Sequence, residues 1–444
     1  MPPCGGALQN PTGVEVRGIE IFRNPYIKLC SNDLRELGSM GEDWRFAGAD
    51  TQYLTHGLHP YPARMIPQIA RRLIERYSER KDVILDPFCG SGGVLVESML
   101  LGRNSIGIDI NPLALIIAKA KTTPLEPSEL ERLWLELREA IEEDVRGLRF
   151  DRLEVEVPKI PNLEYWFKPQ VARELAVIRR RLDALKGERA YFFFATCFSL
   201  TVRKVSNLKP GEFKIMRMPA EKLKKHNPNV LQTFIEHVEE RIPRMVEFYR
   251  ACDENVFCEV LLGDARRLPL KGGVDLVVTS PPYGDSRTTV AYGQFSKYPA
   301  LWLGLRGVTG VDKASLGGRP TDGEELPSET LKRTLEEIKK KSRERYNDVL
   351  WFFSDLFRCL EQLRGVLSGC CCFVVGNRTV RRVQVPTDRI IVELGEALGL
   401  EFETLIRREI PSKRLPWQNA PENVRGEKGT TIAKESIIVL RAKR

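Results

Sequence analysis

The stretch Val83-Ile84-Leu85-Asp86-Pro87-Phe88-Cys89-Gly90-Ser91-Gly92-Gly93 opens as a short apolar run and breaks into a glycine-rich turn. Helical spacing resumes from Val94 to Leu101, and a second apolar run, Ser105-Ile106-Gly107-Ile108-Asp109-Ile110-Asn111-Pro112, carries a carboxylate near its end. Strand, turn, helix and strand in this order predict a βαβ unit of the kind that binds a nucleotide-like cofactor. Gly90, Gly92 and Gly93 let the backbone approach a ligand closely, and Asp109 is placed to accept from two ribose hydroxyls. The phosphate-cradling G-x-G-x-x-G spacing is absent and no Walker lysine follows, which favours a cofactor without phosphates. An adenosyl group attached to an amino acid fits.

A later apolar run, Val274-Asp275-Leu276-Val277-Val278-Thr279, ends in Ser280-Pro281-Pro282-Tyr283. Neither proline has a backbone N–H and both fix φ, so this turn keeps one shape and leaves carbonyl oxygens without local donors. Ser280 Oγ and the Pro281 carbonyl form a pair of acceptors matched to the two hydrogens of an exocyclic amine. Holding those hydrogens draws the delocalised nitrogen toward a tetrahedral, nucleophilic geometry, so catalysis here is positioning and electrostatics. Tyr283 offers a π face on which a displaced base stacks, worth roughly 1–3 kcal/mol.

Asp-Pro-Phe-Cys-Gly-Ser-Gly followed downstream by Thr-Ser-Pro-Pro-Tyr resembles the amino-methyltransferases that modify N4 of cytosine or N6 of adenine in DNA with S-adenosylmethionine. The Ser-Pro-Pro-Tyr form is commoner among the N4-cytosine enzymes. The segment His59-Pro60-Tyr61-Pro62-Ala63-Arg64-Met65-Ile66-Pro67 resembles the family segment that packs on the methionine end of the cofactor. The resemblance covers roughly residues 52–122 and 256–444. It implies an α/β fold, a Rossmann-like class I methyltransferase with a mixed seven-stranded sheet. It implies cofactor contacts from His59, Pro60, Asp86, Pro87, Phe88, Gly90, Ser91, Gly92, Asp109 and Ile110, with Asp86 near the methionine amino group. Asp264 and Ala265, after the run Val260-Leu261-Leu262, match the family's acidic contact to the adenine ring. The implied catalytic residues are Ser280, Pro281, Pro282 and Tyr283. The implied reaction is direct methyl transfer to a flipped-out base, N4 of cytosine in DNA. N6-adenine in DNA, N4-cytidine in rRNA or tRNA, and a catalytically silent nucleic-acid-binding protein stand as alternatives.

A net charge of +9 and a pI near 9.0 favour a polyanionic partner, because Lys and Arg supply the sequence-independent part of nucleic-acid affinity. DNA is favoured over RNA. A thermophilic source with dense surface ion pairs accounts for the same charge. The ten cysteines include no C-x-x-C pair and the four histidines are scattered, so reduced thiols and no metal are expected. No apolar stretch reaches the roughly 18 residues of a membrane span, and the start Met1-Pro2-Pro3-Cys4 is no signal peptide. A cytoplasmic protein is expected.

Along the chain, residues 1–50 read as an N-terminal extension, 51–122 with 256–444 as the catalytic domain, and 123–255 as a helix-rich insert. Its helical runs are 127–146, 171–185, 190–205 and 229–251. The insert falls between the second and third strands of the cofactor half, earlier than recognition regions in the common family arrangements. It is a candidate target-recognition domain, with Arg203, Lys204 and Asn207 as candidate contacts to the nucleic acid. Tyr292 is a candidate wall of the base pocket, and Lys413 and Arg414 are candidate backbone contacts. The charged segment 317–345 reads as a surface loop, and strands at 403–410 and 436–441 are expected to close the sheet as an antiparallel pair.

Overall fold

The computed structural model describes residues 42–285, 289–321, 325–411, 418–419, 429–430 and 432–443. Lys413, Arg414 and residues 1–41 of the expected N-terminal extension lie outside the described residues. The central sheet is built from β1 (Val83–Asp86), β2 (Asn104–Asp109), β3 (Cys258–Leu262), β4 (Val274–Thr279), β5 (Leu367–Val375), β6 (Leu400–Glu409) and β7 (Lys434–Ala442). Its order is β3-β2-β1-β4-β5-β7-β6. The first five strands pair in parallel, and β7 alone runs against both of its neighbours. The expected seven strands and closing antiparallel pair are present.

Period-2 alternation buries both faces. Ile84, Leu276, Val278, Cys370, Cys372, Val374, Ile437 and Val439 point to one side, where Ile69, Leu73 and Ile74 of α1 (Pro67–Tyr77) cover them. Leu85, Val277, Cys371, Phe373, Val375, Ile438 and Leu440 point to the other. There they meet α11 (Arg343–Val366) and α12 (Thr387–Ala397). The cysteine triplet therefore behaves as three small apolar strand residues split between two cores. Each fully buried Val, Leu or Ile contributes about 1.5–3 kcal/mol of transfer free energy.

The sheet order reverses between β1 and β4, which pair at Ile84↔Leu276 and Leu85↔Val277. At such a switch point, the turns leaving adjacent parallel strands diverge and open a crevice at the carboxyl edge. The glycine turn leaves β1 there and the Ser-Pro-Pro-Tyr turn leaves β4. Thr279 Oγ1 donates to Asp86 Oδ1 at 2.6 Å and ties the two strand ends together.

α2 (Gly93–Leu100) and α3 (Pro112–Thr122) follow β1 and β2. Between β2 and β3 lie α4 (Pro127–Arg149), α5 (Pro169–Asp183), α6 (Tyr191–Val205), α7 (Val230–Glu239) and α8 (Ile242–Ala251). The run expected as one helix over 229–251 is two, because Pro243 starts the second helix within its first turn. Trp134, Phe194, Phe234 and Phe248 of these helices share one apolar cluster with Leu113 and Ile117 of α3 and with α9 (Tyr292–Trp302). The helices of the insert thus pack on the sheet's own helices. The segment expected as a charged loop contains α10 (Glu329–Lys341), capped by Ser328, whose Oγ accepts from Leu331 N at 3.0 Å. Leu331, Leu335 and Ile338 bury one face of it, and the charges occupy the rest.

Candidate active site

The crevice at the switch point is a cavity of ≈ 1080 Å³, counting the space open to solvent at its mouth. The glycine turn forms its floor. Gly90 and Gly92 have φ of +49° and +79°, and a Cβ on Gly92 would come within 3.0 Å of Ala118 on α3. Small size there fixes both the turn and the helix packing. Asp86, Pro87, Phe88, Gly90, Ser91, Asp109, Ile110, Asp264, Ala265, Ser280, Pro282 and Tyr292 all line this one cavity. Gly92 is buried behind it.

Asp86 faces the cavity from a buried position and Asp109 from a half-buried one. Burial pushes Asp86 up to about 7, against hydrogen bonds from Thr279 and from Phe88 N. Burial likewise pushes Asp109 up to about 6, although it accepts from Gly90 N at 2.9 Å and Asn111 N at 2.8 Å. Neither is matched by a cation within ion-pair distance among the described residues. Carboxylates left without counter-charge in a cavity set up a site for a cationic ligand.

Two basic side chains stand at the same cavity. Arg64 lines the cavity and donates to the His56 carbonyl at 2.7 Å. Lys121 of α3 is fully buried, its Nζ 3.2 Å from Ser91 Oγ on the cavity wall. Burial, and then repulsion from Arg64, hold its pKa well below the usual lysine range. Neither residue was marked as a site from sequence. The one available signal was a lysine at the end of the apolar run Leu113–Ala120.

In the segment before the glycine turn, residues other than His59 and Pro60 reach the cavity. His59 is completely buried and off the cavity, with Nε2 3.0 Å from Ser199 Oγ and Nδ1 2.6 Å from the Pro60 carbonyl. Pro60 is exposed. The cavity wall is instead made by Tyr61 to Met65 and Pro67. Tyr61 stacks on Tyr292 with ring centroids 5.9 Å apart and accepts from Asn111 Nδ2 at 2.9 Å. His56 and Arg71 both bond the buried Glu97 of α2 at 2.7 Å, and Tyr53 bonds it too, which clamps this segment to the sheet.

At the other turn, the Ser280 hydroxyl donates to the Val374 carbonyl at 3.0 Å. The same hydroxyl lies 3.4 Å from the Tyr283 hydroxyl, and Ser280 lines the cavity, where its oxygen can accept. Tyr283 is turned away from the cavity. Its hydroxyl donates to Glu435 Oε1 at 2.9 Å, and its ring packs over Gly376, where a Cβ would meet it at 3.0 Å. Pro281 is buried and does not line the cavity. Asp264 carries Arg266 on its carboxylate, at 2.9 Å from Nε and 2.6 Å from Nη2. Burial raises its pKa, but the Arg266 hydrogen bonds outweigh that and hold it low.

The candidate nucleic-acid contacts on α6 separate. Arg203 is spent internally: it donates to the Phe295 and Glu212 carbonyls at 2.9 and 2.8 Å and stacks on the Phe295 ring. Asn207 is buried and donates to the Tyr165 carbonyl at 3.0 Å, so it cannot read a base edge. Lys204 is exposed. Arg203 and Asn207 flank a helix terminus, where polar side chains are usually solvated, yet both spend their donors on the protein's own carbonyls.

A sheet of this order with one reversed strand, and a single cavity joining the glycine turn, the β2 carboxylate and a Ser-Pro-Pro-Tyr turn, define a class I methyltransferase. Residues 22–120 match the family model described as DNA methylase. Over 421 residues the chain is 36% identical to the Type II methyltransferase M.MvaI of Kocuria varians, covering 89% of this chain and 93% of that one. The Type II methyltransferase M.MjaII of Methanocaldococcus jannaschii is 37% identical over 105 residues, 24% of this chain and 20% of its own. Among solved structures, an rRNA methyltransferase of Streptomyces viridochromogenes aligns at 13% identity and a TM-score of 0.31, covering 86% of this chain and 88% of that one. The chain belongs to the DNA amino-methyltransferase family of type II methyltransferases.

S-adenosylmethionine is the cofactor of this family, and the donor set fits it. Uncompensated carboxylates meet its cationic groups, the Arg64 and Lys121 corner is suited to a carboxylate, and aromatic walls suit the adenosyl moiety. No helix among the described residues is long and apolar enough to cross a membrane. No cluster of His, Cys, Asp and Glu there could hold a metal ion.

Proposed function

We propose that this protein methylates N4 of cytosine in DNA by direct transfer to a base extruded from the duplex. The observation that carries this reading is Ser280: its hydroxyl donates to the Val374 carbonyl at 3.0 Å, and it lines the same cavity as Asp86 and Asp109. Ser280 Oγ would accept one of the two amine hydrogens and help to orient the nitrogen lone pair.

When bound, S-adenosylmethionine supplies an activated methyl group. Asp86 would hold its ammonium, Asp109 its ribose hydroxyls, and Asp264 with Ala265 would border its adenine. Ser91, backed by Lys121 and Arg64, would hold the carboxylate. Tyr292 would border the base pocket, and the helical insert would engage the DNA. Extruding the base costs a few kcal/mol, offset by contacts within the pocket.

Incubation with labelled cofactor and either DNA or RNA, followed by nucleoside mass spectrometry, tests the assignment. N4-methylcytosine from DNA is expected. N6-methyladenine, or a product found only in RNA, overturns the substrate assignment. A cofactor that binds without any product supports the silent relative.

A further inference from the structure

Leaving α6, the chain forms a two-stranded hairpin that the reading above leaves without a task. Lys209 N donates to the Met216 carbonyl at 2.7 Å and Met218 N to the Asn207 carbonyl at 2.9 Å, with Leu208 bridged to Arg217. Gly211 turns it at a φ of +80°. Its inner face is bolted to α9. The Phe213 ring lies 5.6 Å from Phe295, Ile215 N donates to Gln294 Oε1 at 3.2 Å, and Arg203 bridges the Glu212 and Phe295 carbonyls. α9 begins at Tyr292, which lines the cavity, so the hairpin is fixed to the element that frames the base pocket.

The outer face has a different chemistry. Met216 is 46% exposed and Tyr165 is 48% exposed. Arg217 lies flat on the Tyr165 ring at 3.9 Å, with its Nε buried and lacking a hydrogen-bond partner. Lys214 is exposed beside them. Among the described residues, neither Lys214 nor Arg217 faces a carboxylate; the hairpin's one ion pair joins Lys209 to Glu212. Large apolar side chains held in the open between unneutralised cations suit a ligand that is both anionic and aromatic. A duplex offers both phosphates and base faces, and apolar wedges flanked by cations are a recurrent way of holding it distorted.

We propose that the hairpin Leu208–Arg217 is a DNA-contacting finger. Lys214 and Arg217 take backbone phosphates, while Met216 with Tyr165 bears on bases beside the extruded nucleotide. Arg203 and Asn207 are its brace. This inference rests on DNA being the substrate.

Fluorescence anisotropy with a 30-base-pair random-sequence duplex, at a series of salt concentrations and with saturating S-adenosylhomocysteine, tests it. For Lys214→Ala/Arg217→Ala, the slope of log affinity against log salt should fall by about two, with roughly a tenfold or greater loss of affinity near 0.1 M salt. Met216→Ala should leave the slope unchanged and weaken binding roughly threefold. Unchanged S-adenosylhomocysteine affinity in both variants shows that the fold is retained. Wild-type affinity and slope in the double variant overturn the finger. A wild-type chain that binds S-adenosylhomocysteine but not the duplex overturns the DNA assignment, and the finger with it.

Discussion

The turns after β1 and β4 leave adjacent parallel strands and face one cavity, yet they are built on opposite principles. The first gains its shape from missing side chains at Gly90 and Gly92 and gathers ionisable groups: buried Asp86, half-buried Asp109, and buried Lys121 behind Ser91. The second gains its shape from two prolines and presents only neutral acceptors. Charge suits a ligand that arrives charged and must be held. Neutrality suits an amine that must be oriented, react and leave. The comparison makes a division of labour: damage at the β1 turn should appear in cofactor affinity, and damage at the β4 turn in turnover.

The sharpest break is Ser280→Ala. The substitution removes an acceptor that is useful only when the amine is being reshaped, so its cost falls on the transition state. Turnover should drop about a hundredfold or more, the scale of losing one preorganised polar contact, with S-adenosylhomocysteine affinity within twofold of wild type. Single-turnover methylation beside calorimetry measures both. A variant that loses affinity instead of turnover would erase the distinction between the turns.

Lys121→Met tests the opposite turn and should have a smaller effect. Replacing a buried cation by an isosteric apolar chain relieves its desolvation, so the fold should tolerate the change. Cofactor affinity should fall about tenfold to a hundredfold, the worth of a hydrogen bond involving a charged group. The loss should vanish for methylthioadenosine, which lacks the amino-acid end. Equal losses for both ligands would show that Lys121 only supports the turn.

What the sequence made legible follows the same division. The strand, glycine turn, helix and carboxylate of the cofactor half are contiguous, so local spacing alone predicts the unit and places Asp86, Gly90 and Asp109. The Ser-Pro-Pro-Tyr turn is legible because proline dictates backbone shape without tertiary help. The positive corner is assembled across distance: Arg64 precedes β1 and Lys121 ends α3, and only the packing of α3 under the glycine turn brings them together. His59 failed for the converse reason. Its neighbours Tyr61 and Arg64 face the cavity, but the extended chain turns His59 toward Ser199 on α6. In α10 the density of charge concealed a stripe of Leu331, Leu335 and Ile338, which a reading by period would have found.

The gentlest test is pH, because it alters the charge at the β1 turn without changing a residue. In the ligand-free fold Asp86 titrates near 7 and Asp109 near 6, both above the usual carboxylate range because burial disfavours the charged form. Raised values mean that the folded chain binds protons more tightly than the unfolded one. These groups therefore favour the ligand-free fold at low pH, and that contribution is lost as pH rises through about 6 to 7. A cationic ligand reverses the preference by favouring ionised Asp86. Affinity for S-adenosylhomocysteine should therefore rise as pH increases from 5.5 to 7.5, by roughly tenfold, and level off above. Calorimetry in buffers of different ionisation enthalpy should detect about one proton released on binding near pH 6 and almost none at pH 8. Ser280→Ala should reproduce the wild-type curve, since its turn carries no titrating group, whereas Asp86→Asn should flatten it. A flat wild-type curve would mean that the ligand's positive charge is met elsewhere, and the contrast between a charged turn and a neutral one would no longer account for how the two substrates are held.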